Sequence, residues 1–313
     1  MKEIQVAAAA IADGQGRILI AKRPDHAHQG GLWEFPGGKL EPGETPLRGL
    51  TRELEEELGI RILSSRPLIR VYHDYPDRRV LLDVHRVDAF SGKPMGREGQ
   101  PLSWIRPEDM DPSAFPAADR PIIAALRLPA LYLITGDDPR NPDAFLARLA
   151  QSLERGIRLV QLRAHELSDA SYAHLAERTY RLCERRGVRL LHNRDPSLVS
   201  KLPGHGLHLT AGRLAALDHR PRPEGDLVGA SCHGAEDLAR AARLGLDYAL
   251  LSPVQATASH PGIEPMGWTR FFALAERASL PVYALGGLGP DDLEQAFCHG
   301  AQGIAAIRGL WQG

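Results

Sequence analysis

Residues 38–60 read GKLEPGETPLRGLTRELEEELGI, and this stretch decides the first half of the fold. Thr45-Pro46 predicts a helix start, with a hydroxyl cap followed by proline at the first helical position. Leu47, Leu50, Leu54 and Leu58 then recur at three- and four-residue spacings, which makes one apolar helix face. Glu53, Glu56 and Glu57 stand at i, i+3 and i+4, so they project together from the opposite side. Like charges so placed repel, each pair costing roughly 0.2–0.5 kcal/mol. A cation that prefers carboxylate oxygens and shares substrate phosphates, such as Mg²⁺, offsets that cost. An acidic run alone is usually a solvated face. Here Gly38, Glu44 and Arg52 sit at fixed offsets in the same stretch, and the pattern points to a metal–pyrophosphate site. Gly49 inside the helix costs about 1 kcal/mol against alanine, which suggests close packing there.

The chain has 313 residues, enough for two domains with ordinary cores. Hydrophobic residues make up 43% and charged residues 25%, values of a soluble globular protein. A net charge of −1 gives no electrostatic reason to expect nucleic-acid or membrane binding. Cys183, Cys232 and Cys298 are odd in number and far apart, which argues against a disulfide framework and for a reducing compartment. The apolar run in MKEIQVAAAAIAD is too short for a membrane span and has no basic leader before it. It is read as a first strand, and the expected location is the cytoplasm.

Residues 4–12 and 17–23 read as strands around Asp13-Gly14-Gln15-Gly16, and a loop from Pro24 to Gly31 leads into LWEFPGG. After the acidic helix, 66–75 and 79–90 are β-rich, a Gly/Pro-rich loop follows, then a short strand LSWI and a final helix near 119–127. The glycine, Glu44, Arg52-Glu53-Leu54 and Glu56-Glu57-Leu58-Gly59-Ile60 reproduce the Nudix box at its defining positions. The chain therefore resembles the Nudix hydrolases, and AHQGGLWEFPGGK, YPDR, GREGQPLSW and FPAADRPII are similar to segments of the MutT branch, which hydrolyses 8-oxo-dGTP.

This resemblance covers residues 1–127 and implies an α/β/α sandwich with a mixed sheet. It implies Mg²⁺, with Mn²⁺ as the alternative ion, held by the Gly37 carbonyl, Glu53, Glu56, Glu57 and Glu98. Glu53 is the expected base and Glu98 the competing one, while Arg52 holds a carboxylate of the set in its bidentate fork. Two or more ions would polarise the phosphates and lower the pKa of the attacking water. Substrate reading would fall to Arg23, His28, Glu34, Phe35, Pro36, Gly37, Arg78 and Asp119. The bland alternatives are a core phenylalanine for Phe35 and surface charges for Arg23 and Arg78. MutT enzymes carry asparagine at position 119, which both donates to and accepts from the oxidised base. An ionised Asp119 has no donor to give. A protonated one in a dry pocket could replace the amide, because burial raises a carboxyl pKa.

From Leu131 the rhythm changes. LYLIT, LVQLRA, VRLLHN, GLHLT, LVGASCH, YALLSPV, PVYALGG and GIAAIRG alternate with helical or polar segments such as 143–155, 168–186, 235–244 and 268–277. Eight strands with crossovers predict a parallel (β/α)₈ TIM barrel. The expected domains are 1–128 and 130–313. Strand C-terminal ends, where barrel active sites lie, carry Arg163, His165, Asn193, His208, Thr257, Ser259 and His260. Gly286, Gly287 and Gly309 suit a cradle of backbone amides for phosphate. Arg163, Thr257, Ser259 and Gly287 form the expected phosphate site.

QLR, HNR, HL, SPVQATASH and ALGG are similar to strand ends of thiamine phosphate synthase and its TenI relatives. Departures accompany the match. His165 and His260 stand where the synthase has lysines, and Arg194 and Arg213 where it has Mg²⁺-binding aspartates. The tautomerase branch's histidine falls at Pro253. Without a metal, a pyrophosphate leaving group loses its main charge neutralisation. The barrel is thus expected to be a degenerate phosphate-binding module. The leading reading is an 8-oxo-dGTP diphosphatase of the nucleotide pool, acting in avoidance of mutation, with a nucleoside triphosphate as substrate and a phosphorylated ligand in the barrel. Alternatives are hydrolysis of thiamine-pathway pyrophosphates, residual thiamine phosphate synthase activity, and a barrel that senses a metabolite and adjusts the hydrolase.

Overall fold

The computed structural model describes residues 2–311 apart from 26–28, 77, 137, 224 and 258–261. The chain divides into two compact units, Met1–Leu128 with Glu276–Ser279, and Pro129–Ala275 with Leu280–Gly313.

In the first unit the strands are β1 (Lys2–Ile11), β2 (Ile18–Lys22), β3 (Trp33–Glu34), β4 (Gly37–Lys39), β5 (Arg61–Asp74), β6 (Arg78–Ser91) and β7 (Leu102–Ile105). The helices are α1 (Pro46–Leu58) and α2 (Arg120–Arg127). A mixed sheet runs in the order β4-β1-β6-β5, with β1 parallel to β6 and antiparallel to β4. The other three strands make a separate antiparallel sheet, β3-β2-β7, where the sequence suggested a single one.

The alanine run of β1 is buried on both faces. Ala7, Ala9 and Ile11 pack with Leu50, Leu54 and Leu58 of α1, whereas Ala8, Ala10 and Ala12 share a cluster with Ile122, Ile123 and Leu126 of α2. Strands covered by helices on both sides read as continuous apolar runs, and each buried leucine contributes roughly 1.5–3 kcal/mol. This is the α/β/α sandwich. Two local expectations change. Leu47 is 43% exposed and stands outside the cluster that Leu50, Leu54 and Leu58 share. Thr45 is the N-cap, but its side chain makes no capping hydrogen bond; proline at N1 leaves one fewer N–H to satisfy. Gly49 is buried, and a Cβ there would lie 2.4 Å from Leu40 Cδ2, so the close packing is real.

The second unit is a closed barrel of parallel strands: β8 (Leu131–Ile134), β9 (Leu159–Leu162), β10 (Arg189–His192), β11 (Gly206–Leu209), β12 (Leu227–Cys232), β13 (Tyr248–Leu251), β14 (Val282–Leu285) and β15 (Gly303–Ala306). Each strand falls in one of the apolar runs read from sequence. The crossover helices include α3 (Pro142–Glu154), α4 (Asp169–Glu184), α5 (Pro196–Val199), α6 (Ala211–Ala215), α7 (Ala235–Arg243), α8 (Gly267–Ala275) and α9 (Leu293–Cys298). Tyr132, Tyr248 and Tyr283 fill the barrel, with ring centroids 5.5–5.8 Å apart. Gly229 makes room for them: a Cβ there would stand 2.0 Å from the Tyr248 ring.

Candidate active site

Helix α1 carries the acidic set and β4 lies against it. Gly38 is the closest approach, since a Cβ at that position would sit 2.2 Å from Glu53 Cδ. Gly37 has φ +145°, and its hypothetical Cβ would meet the Ala7 carbonyl oxygen at 2.1 Å, so glycine is required there. The Gly37 N–H donates to the Glu57 carboxylate.

Arg52 organises the other side. Its Nε and Nη2 donate to the two oxygens of Glu44, each at 3.0 Å, and Nη1 donates to Glu53 Oε1 at 2.8 Å and to Glu56 Oε2 at 3.3 Å. Nη2 also reaches the Lys39 carbonyl at 3.1 Å, tying the helix to β4. The bidentate fork therefore falls on Glu44, whose pKa it pulls down to about 2, and Glu53 receives a single bond.

Glu57 is the electrostatic opposite. Burial first, then the negative charges of Glu53, Glu98 and Glu34, push its pKa up to about 7. Glu98 sits on an exposed loop that docks on the C-terminal end of α1. There Arg97 N–H donates to the Glu57 carbonyl at 2.9 Å, and Arg97 Nη1 donates to the Glu55 carbonyl at 2.8 Å. A cation beside the last carbonyls of the helix also suits its dipole. Arg97 and Gln100, which donates to the Glu57 carbonyl at 3.3 Å, were invisible to periodicity; both act through carbonyls that only the fold exposes.

The donor set is all hard oxygen, the chemistry of Mg²⁺ or Mn²⁺. Among the described residues, no three acidic, histidine or cysteine side chains are gathered tightly enough to hold an ion by themselves. Mg²⁺ commonly takes one or two carboxylates and completes its shell from substrate phosphates, so the set fits it in that manner.

Beside β4 lies a cavity of about 440 Å³ lined by Arg23, Glu34, Phe35, Gly37, Arg78 and Asp119, six of the residues singled out from sequence. Gln29 and Tyr75 line it too and carried no sequence signal. Pro36 is buried and does not line it; its carbonyl accepts from Ala9 N–H at 2.8 Å within the sheet. His28 lies outside the described residues. Phe35 is both a core and a cavity residue, stacked on Phe115 with centroids 5.7 Å apart. Arg23 forms an ion pair with Glu34. Asp119 is 8% exposed, and burial, reinforced by the Glu34 charge and opposed by Arg23, raises its pKa to about 7.

In the barrel, Arg163, His165, Asn193 and His208 line one cavity of about 520 Å³. Thr257, Gly286, Gly287 and Gly309 line another of about 510 Å³. The two cavities adjoin, sharing Ser252, Pro253, Leu285 and Ile307, with Arg163 lining the first and Thr257 and Gly287 the second. Ser259 and His260 lie outside the described residues. Among the described residues no helix is long and apolar enough to cross a membrane.

Residues 7–125 match the NUDIX domain family, and residues 131–310 match the thiamine monophosphate synthase family. The 8-oxo-dGTP diphosphatase of Escherichia coli (strain K12) is 38% identical over 127 residues, 41% of this chain and 98% of that protein. The CTP pyrophosphohydrolase of the same organism is 39% identical over 125 residues, 40% of this chain and 92% of its own length. The thiamine-phosphate synthase of Thermus thermophilus is 33% identical over 182 residues, 58% of this chain and 88% of that enzyme. The chain belongs to the Nudix hydrolases through its first unit and to the thiamine monophosphate synthase/TenI family through its second.

Proposed function

We propose that the first unit is a Mg²⁺-dependent nucleoside triphosphate pyrophosphohydrolase that converts 8-oxo-dGTP to 8-oxo-dGMP and pyrophosphate. In that role it clears the cytoplasmic nucleotide pool of a mutagenic precursor. The observation that carries the reading is the half-buried Glu57 carboxylate, which accepts from Gly37 N–H, feels the charges of Glu53, Glu98 and Glu34, and is tied through Gly37 to a cavity of about 440 Å³. Burial first, and then those three negative charges, raise its pKa, and a divalent cation would neutralise the charges.

The Gly37 carbonyl, Glu53, Glu56, Glu57 and Glu98 are the groups that would hold the metal, with Mn²⁺ as the alternative ion. The bound metal supplies charge neutralisation of the phosphates and acidifies water. The chain does the rest. Arg52 fixes Glu44 and Glu53 on one side of α1, so that the second oxygen of Glu53 is positioned to take a proton from water. The water oxygen bonds to the α- or β-phosphorus as the α–β anhydride P–O bond breaks. The proton of that water passes to Glu53, and nucleoside monophosphate and pyrophosphate separate, one of them carrying the new oxygen and the other leaving with the bridging one. Arg23, Glu34, Phe35, Arg78 and Asp119 hold the base.

A neutral Asp119 donates to O6 of 8-oxoguanine and accepts from N7–H, as an amide does. The same acid pairs equally well with cytosine, donating to N3 and accepting from the exocyclic amine. Asp119, together with the CTP-hydrolysing relative, therefore favours cytidine triphosphates as the second reading. Product analysis tests the proposal: with Mg²⁺, 8-oxo-dGTP should release pyrophosphate and monophosphate, and EDTA should stop it. Release of orthophosphate, or turnover indifferent to EDTA, would overturn it.

A further inference from the structure

The loop that carries Glu98 is held to the first unit by hydrogen bonds and not by burial. Between β6 and β7, Lys93, Met95, Arg97, Glu98 and Gly99 are all exposed. What fixes the loop is the C-terminal turn of α1, where the last carbonyls of a helix lack partners within the helix. Met95 N–H donates to the Leu58 carbonyl at 3.1 Å, Arg97 N–H to the Glu57 carbonyl at 2.9 Å, and Arg97 Nη1 to the Glu55 carbonyl at 2.8 Å. The guanidinium lies over Gly59, the left-handed residue that ends the helix; a Cβ there would stand 2.5 Å from Nη2.

Gln100 closes the loop. A main-chain N–H only donates and a carbonyl only accepts, so the Gln100 amide has a single orientation. Its Oε1 accepts from Glu98 N–H at 2.9 Å, and its Nε2 donates to the Glu57 carbonyl at 3.3 Å. Residue 98 is thus strung between two neighbours that bond the same carbonyl, that of Glu57. The turn around it is tight. Gly99 has φ +81° and donates to the Gly96 carbonyl at 3.1 Å, and a Cβ at Gly96 would stand 2.1 Å from the Gln100 carbonyl oxygen.

Capping of α1 leaves two details unexplained. Arg97 adjoins Glu98 in the chain, yet its guanidinium is used on a main-chain carbonyl, and among the described residues the Glu98 carboxylate has no hydrogen-bond or ion-pair partner. A cap, moreover, needs donors to carbonyls only. The bond from Glu98 N–H to Gln100 does nothing for the helix, but it fixes the main chain of Glu98. The charge of Glu98 is felt at Glu57.

We propose that Arg97 and Gln100 are positioning residues for Glu98, which hang its loop on the last turn of α1 and hold its unengaged carboxylate at the acidic end of the helix for a divalent cation. This rests on the reading of Glu98 as one of the groups that would hold the metal. A carboxylate on a free loop would lose conformational freedom on binding, and ordering the loop beforehand removes that cost.

The test is Mn²⁺ binding to the full, nucleotide-free chain, followed by electron paramagnetic resonance of the free ion. Glu98→Gln should weaken binding, and Gln100→Leu and Arg97→Gln should each weaken it by roughly 10-fold, as loss of groups that orient metal ligands does. In the double variant Glu98→Gln/Gln100→Leu the loss should equal that of Glu98→Gln alone, because a residue that acts through Glu98 has nothing left to position. A readout without metal is hydrogen exchange of the Gly99 N–H, which should quicken in Gln100→Leu although the substitution leaves its own bond partner in place. Wild-type affinity in Gln100→Leu and Arg97→Gln, losses that add in the double variant, or unchanged Gly99 exchange would each overturn the positioning role while leaving Glu98 as a ligand. Wild-type affinity in Glu98→Gln would remove Glu98 from the metal site and the proposal with it.

Discussion

Asp119 gives the site a pH signature that can be worked out in advance. Its pKa is raised from 3.8 to about 7 by burial and the Glu34 charge. Only the neutral form has a proton to give to O6 of 8-oxoguanine, so discrimination of the oxidised base should be full below neutrality. Above it the neutral fraction falls tenfold per pH unit, to about one in a hundred at pH 9. The quantity to measure is the ratio of kcat/KM for 8-oxo-dGTP to that for dGTP from pH 6 to 9. The ratio cancels the titration of metal ligands and base, which both substrates share. In Asp119→Asn, whose amide cannot ionise, the ratio should be high and flat.

Stability moves with the same group. A raised folded-state pKa contributes stability that is complete below the unfolded value of 3.8 and is lost as pH climbs toward 7. Asp119→Asn escapes this loss, so its stability advantage should grow between pH 4 and pH 8 toward a ceiling of about 4 kcal/mol, read as a widening difference in Tm. A wild-type ratio independent of pH, or an Asn variant with the same slope, would refute the argument that Asp119 reads the base as a neutral acid.

Two further outcomes follow from the geometry of α1 and β4. Glu53→Gln should lower kcat by about 10²–10⁴-fold with Tm nearly unchanged, and near-normal turnover would remove Glu53 from the role of base. Gly37→Ala places a Cβ 2.1 Å from the Ala7 carbonyl in a left-handed backbone, and thermal melts should register a loss of at least about 2 kcal/mol; a neutral substitution would mean that the β1–β4 pairing yields easily.

Much of this architecture was legible because burial leaves marks on sequence. The barrel strands are covered on both faces, so Leu159–Leu162 or Tyr248–Leu251 reads as a continuous apolar run. Helix α1 showed its buried stripe at Leu50, Leu54 and Leu58, but the same periodicity carried Leu47 into a core that it does not reach. Strand β5 begins at Arg61, five residues before the apolar run at Arg66, because its first residues lie exposed or half-buried and form no apolar run. Arg52 and the glutamates were legible through spacing alone. What spacing could not supply was the partner of each group. Arg52 spends its fork on Glu44, Arg97 caps carbonyls from a distant loop, and the hydrogen bonds linking Tyr132, Tyr248 and His208 join residues from three strands. Such contacts depend on the closure of the fold, which leaves no local pattern.

The account stands most directly on the kcat/KM of the full chain, with Mg²⁺ below neutral pH, for 8-oxo-dGTP and dGTP side by side. A large preference for the oxidised nucleotide is predicted, with pyrophosphate as product. Equal turnover of the two, or faster turnover of cytidine triphosphates, would contradict the assignment of 8-oxo-dGTP while leaving the Nudix chemistry in place.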